Sequence, residues 1–143
     1  MLTLTHVQRL LDDLDKRYPR PWLGRLQISS LYDLREDWPD EYPNADKPGV
    51  YFLLNNEKEL VYVGKASFSN DIGSRLGKRI GYDSQRRALI RDPQWLSACV
   101  RYIATVGLAA EHAFEAAAIE EFIVVNLNPC PILNKVGSGR PRA

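Results

Sequence analysis

The sequence predicts an α+β domain, a small antiparallel sheet flanked by helices and preceded by a helical N-terminal extension. Three observations carry this. Residues 49–54 and 60–63 read as strands, rich in β-branched, aromatic and aliphatic side chains, with turn chemistry in Asn55, Asn56, Glu57 and Lys58 between them. A connection that short makes the two strands antiparallel. Residues 96–106, which contain ACVRYIATV, read as a third strand. Apolar residues at helical spacing over residues 5–18 and 109–127 supply the main helices.

Taken in order, Val7, Leu10, Leu11, Leu14 and Tyr18 share one helical face, with Thr5 as the expected N-cap and Pro19 and Pro21 as the stop. Trp22, Leu23, Leu26 and Ile28 form an apolar connector. Ser30 with Asp33 resembles a capping arrangement, which predicts a short helix to about Trp38. Prolines 39, 43 and 48 mark a loop over residues 40–48. Within the hairpin, alternation puts Tyr51 on a face with Leu53, and Tyr62 on a face with Leu60 and Gly64. Gly64 is expected to end the return strand where a bulky side chain would block approach to the backbone. Residues 67–71 read as a loop and 72–80 as a helix weakened by Gly73 and Gly77. Residues 84–91 read as a second short basic helix stopped by Asp92-Pro93. Gly107 breaks the third strand, Asn128-Pro129 ends the long helix, and the remainder is irregular.

The chain of 143 residues is long enough for one domain with a single modest core. No apolar run approaches the roughly 18 residues of a membrane span. The N-terminus lacks the basic start and apolar core of a secretory signal, so a cytoplasmic protein is expected. Cys99 and Cys130 form no metal or disulfide pattern and read as small buried residues. His6 and His112 read as surface or packing histidines. Net charge is +1, but the charges are segregated. Residues 65–91 hold seven basic side chains (Lys65, Arg75, Lys78, Arg79, Arg86, Arg87 and Arg91) against Asp71 and Asp83. A basic face beside a tyrosine hairpin suits a polyanion.

The hairpin carries a resemblance. PGVY, an interval of eleven residues from Tyr51 to Tyr62, YVGKA, and then SRL resemble the GIY-YIG nuclease domain. The wording is nearest to the incision subunit of bacterial nucleotide-excision repair and to small stand-alone relatives, and the likeness runs from about Pro48 to Asn134. It implies a three-stranded antiparallel sheet flanked by helices over residues 48–136; the helical extension at 1–47 and an irregular, mobile tail at 137–143 are read from the sequence itself. The extension falls outside the resemblance; it either covers one side of the sheet or shapes the choice of substrate or partner. The implied activity is that of a Mg²⁺-dependent DNA endonuclease, with Mn²⁺ an alternative ion, leaving 5′-phosphate and 3′-hydroxyl ends. No membrane partner is implied, and a protein partner or dimer is left open.

The residues supply parts for that chemistry. On the long helix Glu120 shares a stripe with Ala113, Ala116, Ile123 and Leu127, where a lone carboxylate needs a charged partner such as a divalent cation or an arginine. Glu121 also neighbours apolar positions, so periodicity leaves both open. The resemblance selects Glu120, nine residues before Pro129, as the metal ligand. It also maps the family's asparagine onto Asn134, with Asn128 as the rival. Arg75 would place fixed positive charge on the transition state, since a guanidinium fork matches phosphate oxygens. The resemblance favours Tyr51 as general base and leaves Tyr62 to hydrogen-bond water or phosphate. An unperturbed phenol titrates near pH ~10, so Lys65, Arg75 and metal would have to lower it. Lys65, Lys78, Arg79, Tyr82 and Asn134 complete the expected substrate contacts. Arg79 stands one helical turn after Arg75, where the family has tyrosine or histidine. Tyr82 lies just beyond and is the alternative occupant of that place; Arg79 paired with Tyr82 is the alternative to Arg75. The departure at Arg79 keeps two other readings in view, a nucleic-acid-binding module without turnover and a protein-interaction domain.

Overall fold

The structure is a computed structural model and describes residues 1–82, 85 and 88–135. It is α+β. A four-stranded antiparallel sheet is accompanied by a separate two-stranded ribbon and, among the described residues, five α-helices.

The predicted hairpin forms as strands β2 (Gly49–Asn55) and β3 (Leu60–Ala66). Asn55 Oδ1 accepts from the backbone N–H groups of Glu57 and Glu59, at 3.0 and 2.9 Å, which closes the turn as an Asx motif does. Strand β2 is central and pairs on its other side with β6 (Val100–Gly107), aligning Tyr51 with Thr105. All of β2 except Asn55 is buried, because the sheet is covered on both faces.

The sheet has four strands rather than the three expected. Its order is β1-β6-β2-β3, and β1 is Tyr32–Asp33, inside the segment predicted to be helical. Long-range bonding overrides the local capping signal there. Ser29 N–H donates to the Thr105 carbonyl at 2.8 Å and Leu34 N–H to that of Arg101 at 2.9 Å. Arg101 grips the Asp33 carboxylate with two bonds of 3.1 and 2.9 Å, which holds that carboxyl below its ordinary range. Asp33 Oδ1 also accepts from Arg35 N–H, so the side chain read as a cap shapes a turn instead.

Two apolar layers enclose the sheet. On one face, helix α1 (Leu4–Arg17) presents Val7, Leu11 and Leu14, and helix α4 (Glu115–Asn126) presents Ala116, Ile119 and Ile123, to Val50, Phe52, Leu54, Leu60, Val63, Ala104 and Val106. The extension therefore shares the core of the sheet. Helix α1 begins one residue earlier than expected, with Thr3 as its N-cap and the His6 ring accepting from Thr3 N–H at 3.1 Å. His6 thus has a capping role.

On the other face lie helix α2 (Ile72–Gly77), the ribbon of β4 (Ile80–Tyr82) and β5 (Ala88–Ile90), and helix α3 (Pro93–Ser97). Their buried side chains Ile72, Leu76, Ile80 and Trp95 pack with Tyr51, Leu53, Val61 and Ile103. Three expectations change here. Helix α2 stops at Gly77, and Ile80 joins a strand. The predicted basic helix over residues 84–91 is a strand at Ala88–Ile90, with Tyr82 opposite Ala88; Asp83, Ser84, Arg86 and Arg87 lie outside the described residues. Asp92-Pro93 starts a helix rather than only stopping one: Asp92 Oδ1 accepts from Gln94 and Trp95 N–H, and Pro93 occupies the first turn, where its missing N–H is no loss. Strand β6 accordingly begins at Val100 rather than residue 96.

The long helix is shorter than expected, α4 being preceded by a 3-10 turn at Ala110–His112. Helix α5 (Ile132–Lys135) forms in the stretch read as irregular. Cys130 is buried as expected, whereas Cys99 is exposed. The tail expected over residues 137–143 lies outside the described residues. Among those described, no helix is long and apolar enough to cross a membrane.

Candidate active site

Tyr51 and Tyr62 meet on the α2/α3 face of the sheet. Their ring centroids are 6.1 Å apart and the planes are tilted by 43°. Register explains the meeting: Leu53 opposes Tyr62 and Tyr51 opposes Gly64. A bulge at Val61 breaks the alternation, so Leu54 opposes Leu60 and Leu60 joins the α1/α4 core. The expectation that Tyr62 and Leu60 share a face is therefore wrong, while Tyr62 and Gly64 do share one. Gly64 lies inside β3 rather than at its end. Its purpose is steric, since a Cβ there would sit on the Tyr51 ring.

Tyr51 is 2% exposed. Burial pushes its phenol above the ordinary range and the Tyr62 phenol adds to this; the charges of Arg75 and Arg79 offset part of it. The lowering that a Tyr51 base requires is thus present in kind but outweighed by burial. Tyr62 is half-buried and the more accessible phenol. Arg75 is half-buried on α2, and Lys78 is exposed at that helix's C-cap.

Arg79 lies between α2 and β4. Its Nη1 donates to Asp92 Oδ2, and its guanidinium stacks over the Trp95 ring with the carbon 5.3 Å from the centroid. Trp95 in turn lies 6.1 Å from the Tyr62 ring. Sequence reasoning missed Asp92 and Trp95. The available signal was Asp followed by Pro, which marks a helix start as well as a stop. It also missed Thr105, buried beside Tyr51 in register, whose hydroxyl accepts from Asn44 Nδ2 and contacts the Pro43 carbonyl, both at 2.9 Å.

Other expected residues stand apart. Tyr82 lies close enough to Tyr42 to help raise that phenol, and the Tyr42 ring packs edge-on against Tyr32 at 4.9 Å. Burial raises both of those phenols, Tyr32 being pushed up to about 12. Lys65 opposes Val50, a residue of the α1/α4 core, so its side chain leaves the sheet on the side away from Tyr51. Asn134 lies in α5 and is buried. Its Oδ1 accepts from Val63 N–H at 2.8 Å and its Nδ2 donates to the Val63 carbonyl at 2.9 Å. That pairing covers the open edge of β3, so both ends of the amide serve the fold.

Burial separates the two glutamates that periodicity leaves open. Glu120 is 5% exposed on the inner side of α4, and Glu121 faces solvent. Helix α4 packs on the face opposite Tyr51, over β2 and the edge strand β3. A site using Glu120 and the tyrosines together must therefore be assembled around the β3 edge. No group of three or more His, Cys, Asp or Glu suited to a metal occurs among the described residues. A cation on Glu120 would keep most of its waters, a coordination that suits Mg²⁺ better than Zn²⁺. Compared with known proteins, the chain matches no family model, no curated protein and no solved structure.

Proposed function

We propose that this chain is a Mg²⁺-dependent DNA endonuclease of the GIY-YIG type. One observation supports this most: two phenols from paired strands meet on one sheet face, with the Arg75 charge acting on the inner phenol and a glycine making room for it. Phosphodiester hydrolysis needs an oriented water, positive charge on the phosphate and help for the leaving oxygen. Arg75 supplies fixed charge where the phosphorus becomes pentavalent. Tyr51, kept neutral by burial, acts as a hydrogen-bond donor that positions the phosphate. Tyr62, the more accessible ring, orients the water. The water attacks phosphorus and releases a proton to solvent, the bond to the 3′-oxygen breaks and that oxygen takes up a proton, and a 5′-phosphate and a 3′-hydroxyl result. Glu120 would hold Mg²⁺, which when bound neutralises phosphate charge and eases departure of that oxygen. Lys78, on the exposed end of α2, adds a contact to the backbone of DNA.

The test is nicking of supercoiled plasmid in Mg²⁺, with EDTA and Glu120→Ala as controls. Cutting that requires both metal and Glu120 supports the assignment. A second reading, a DNA-binding module without turnover, draws on the raised Tyr51 phenol and on Arg79 in place of the expected tyrosine or histidine. It predicts salt-sensitive binding and no cutting at any pH, in Mg²⁺ or in Mn²⁺.

A further inference from the structure

Arg79 is held at one edge of its guanidinium. Asp92 is itself immobilised, since Oδ1 caps α3 through Gln94 and Trp95 N–H at 2.8 and 3.3 Å. Its other oxygen, Oδ2, takes Arg79 Nη1. Trp95, one turn along the same helix and 1% exposed, supplies a flat surface beneath the guanidinium. The Trp95 ring also neighbours Tyr62, so one short helix orders an arginine and a phenol of the tyrosine site. The Arg79 side chain is 43% exposed, against 13% for Asp92. The carboxylate is enclosed and the guanidinium reaches the surface. A guanidinium has five donors, and fixing one edge leaves the others oriented at little further entropic cost.

We propose that Asp92 and Trp95 are positioning residues, clamping one edge of Arg79 so that its other edge receives a DNA phosphate beside Tyr51 and Tyr62. This rests on the reading of the tyrosine site as a DNA site. The clamp makes Asp92 a negative charge that strengthens DNA binding, the opposite of what long-range repulsion dictates.

The experiment measures binding of a short fluorescein-labelled DNA duplex by anisotropy, in EDTA so that nothing is cut, across a salt series. Arg79→Ala should weaken binding about tenfold, the scale of one charge-assisted contact. It should also reduce the slope of log affinity against log salt by about 0.9. Asp92→Asn keeps a good N-cap for α3 but loses the acceptor for Arg79. It should weaken binding about three- to tenfold, and that loss should vanish in the Arg79→Ala background. Trp95→Phe should show the same dependence on Arg79 and serves if Asp92→Asn does not fold. Tighter or unchanged binding by Asp92→Asn, or a loss that persists without Arg79, overturns the clamp while leaving the DNA site standing. If the wild-type protein does not bind the duplex, the DNA reading fails and the clamp fails with it.

Discussion

The two faces of the sheet differ in what fills them. The α1/α4 face is packed with aliphatic residues and Phe52, and α4 carries two buried carboxylates, Glu120 and Glu115, the latter accepting from Arg20 Nη1 and Trp22 Nε1. The α2/α3 face also has an apolar floor, but Tyr51, Tyr62 and Trp95 rise from it and Arg75 and Arg79 border it. A rim of rings and guanidinium groups over an apolar base is a poor way to gain stability alone, since burying polar groups costs desolvation. It is a good way to hold polar groups rigidly. On the proposed reading one face serves mainly cohesion and the other mainly chemistry, and substitutions on the two should separate accordingly.

The largest separation is expected from Phe52→Ala. Loss of this fully buried ring should destabilise the protein by about 3–5 kcal/mol in denaturant titration. Any protein that remains folded should keep the wild-type affinity for DNA. Arg75→Ala should do the reverse, leaving the melting temperature nearly unchanged and lowering the nicking rate by about 10²–10³-fold. Equal losses of stability and rate in both variants would erase the distinction between the faces.

Gly64→Ala sharpens the comparison because it touches the floor of the chemical face. The added methyl meets the Tyr51 ring, and overpacking of this kind costs about 1–3 kcal/mol. Paired with Tyr51→Phe, which leaves the ring in place, it asks whether ring position or the hydroxyl matters to nicking. If the ring must be placed, Gly64→Ala should slow nicking even where the protein stays folded. Asn134→Leu tests the edge of β3. It should cost about 1–3 kcal/mol in thermal or denaturant unfolding, because both polar groups of Val63 lose their side-chain partner.

The smallest effect is alkaline. Burial raises the phenols of Tyr51, Tyr42 and Tyr32, so above the unfolded value near pH ~10 the native state holds protons that the unfolded chain has released. Their contribution is complete below that pH and is lost as pH rises past it. Melting temperature should therefore fall above about pH 10, and Tyr51→Phe should make the fall shallower. An unchanged slope would mean that Tyr51 is not the protonated, buried phenol described.

Much of the scaffold is legible from local pattern. The β2–β3 hairpin and strand β6 follow from short runs of β-branched, aromatic and aliphatic residues bounded by turn chemistry, and α1 and α4 from apolar residues at helical spacing. The same logic puts Tyr51 and Tyr62 near each other and places Glu120 on a stripe of small apolar residues. Strand β1 is different. Two residues cannot announce a strand, and this one exists because Asp33 meets Arg101 and the backbone at Ser29 and Leu34 meets β6, partners about seventy positions away.

By itself, the sequence determined that a tight hairpin would bring two phenols together, that a basic segment would follow, and that a long helix would carry a carboxylate inward. Only the tertiary structure decided the rest. Packing chose Glu120 over Glu121. A bulge at Val61 took Leu60 away from Tyr62. The edge of β3 claimed Asn134, Tyr42 claimed Tyr82, and α3 supplied the Asp92 and Trp95 that hold Arg79. The reason is common to all five. Each depends on which distant group lies within a few ångströms, and local periodicity carries no record of that distance.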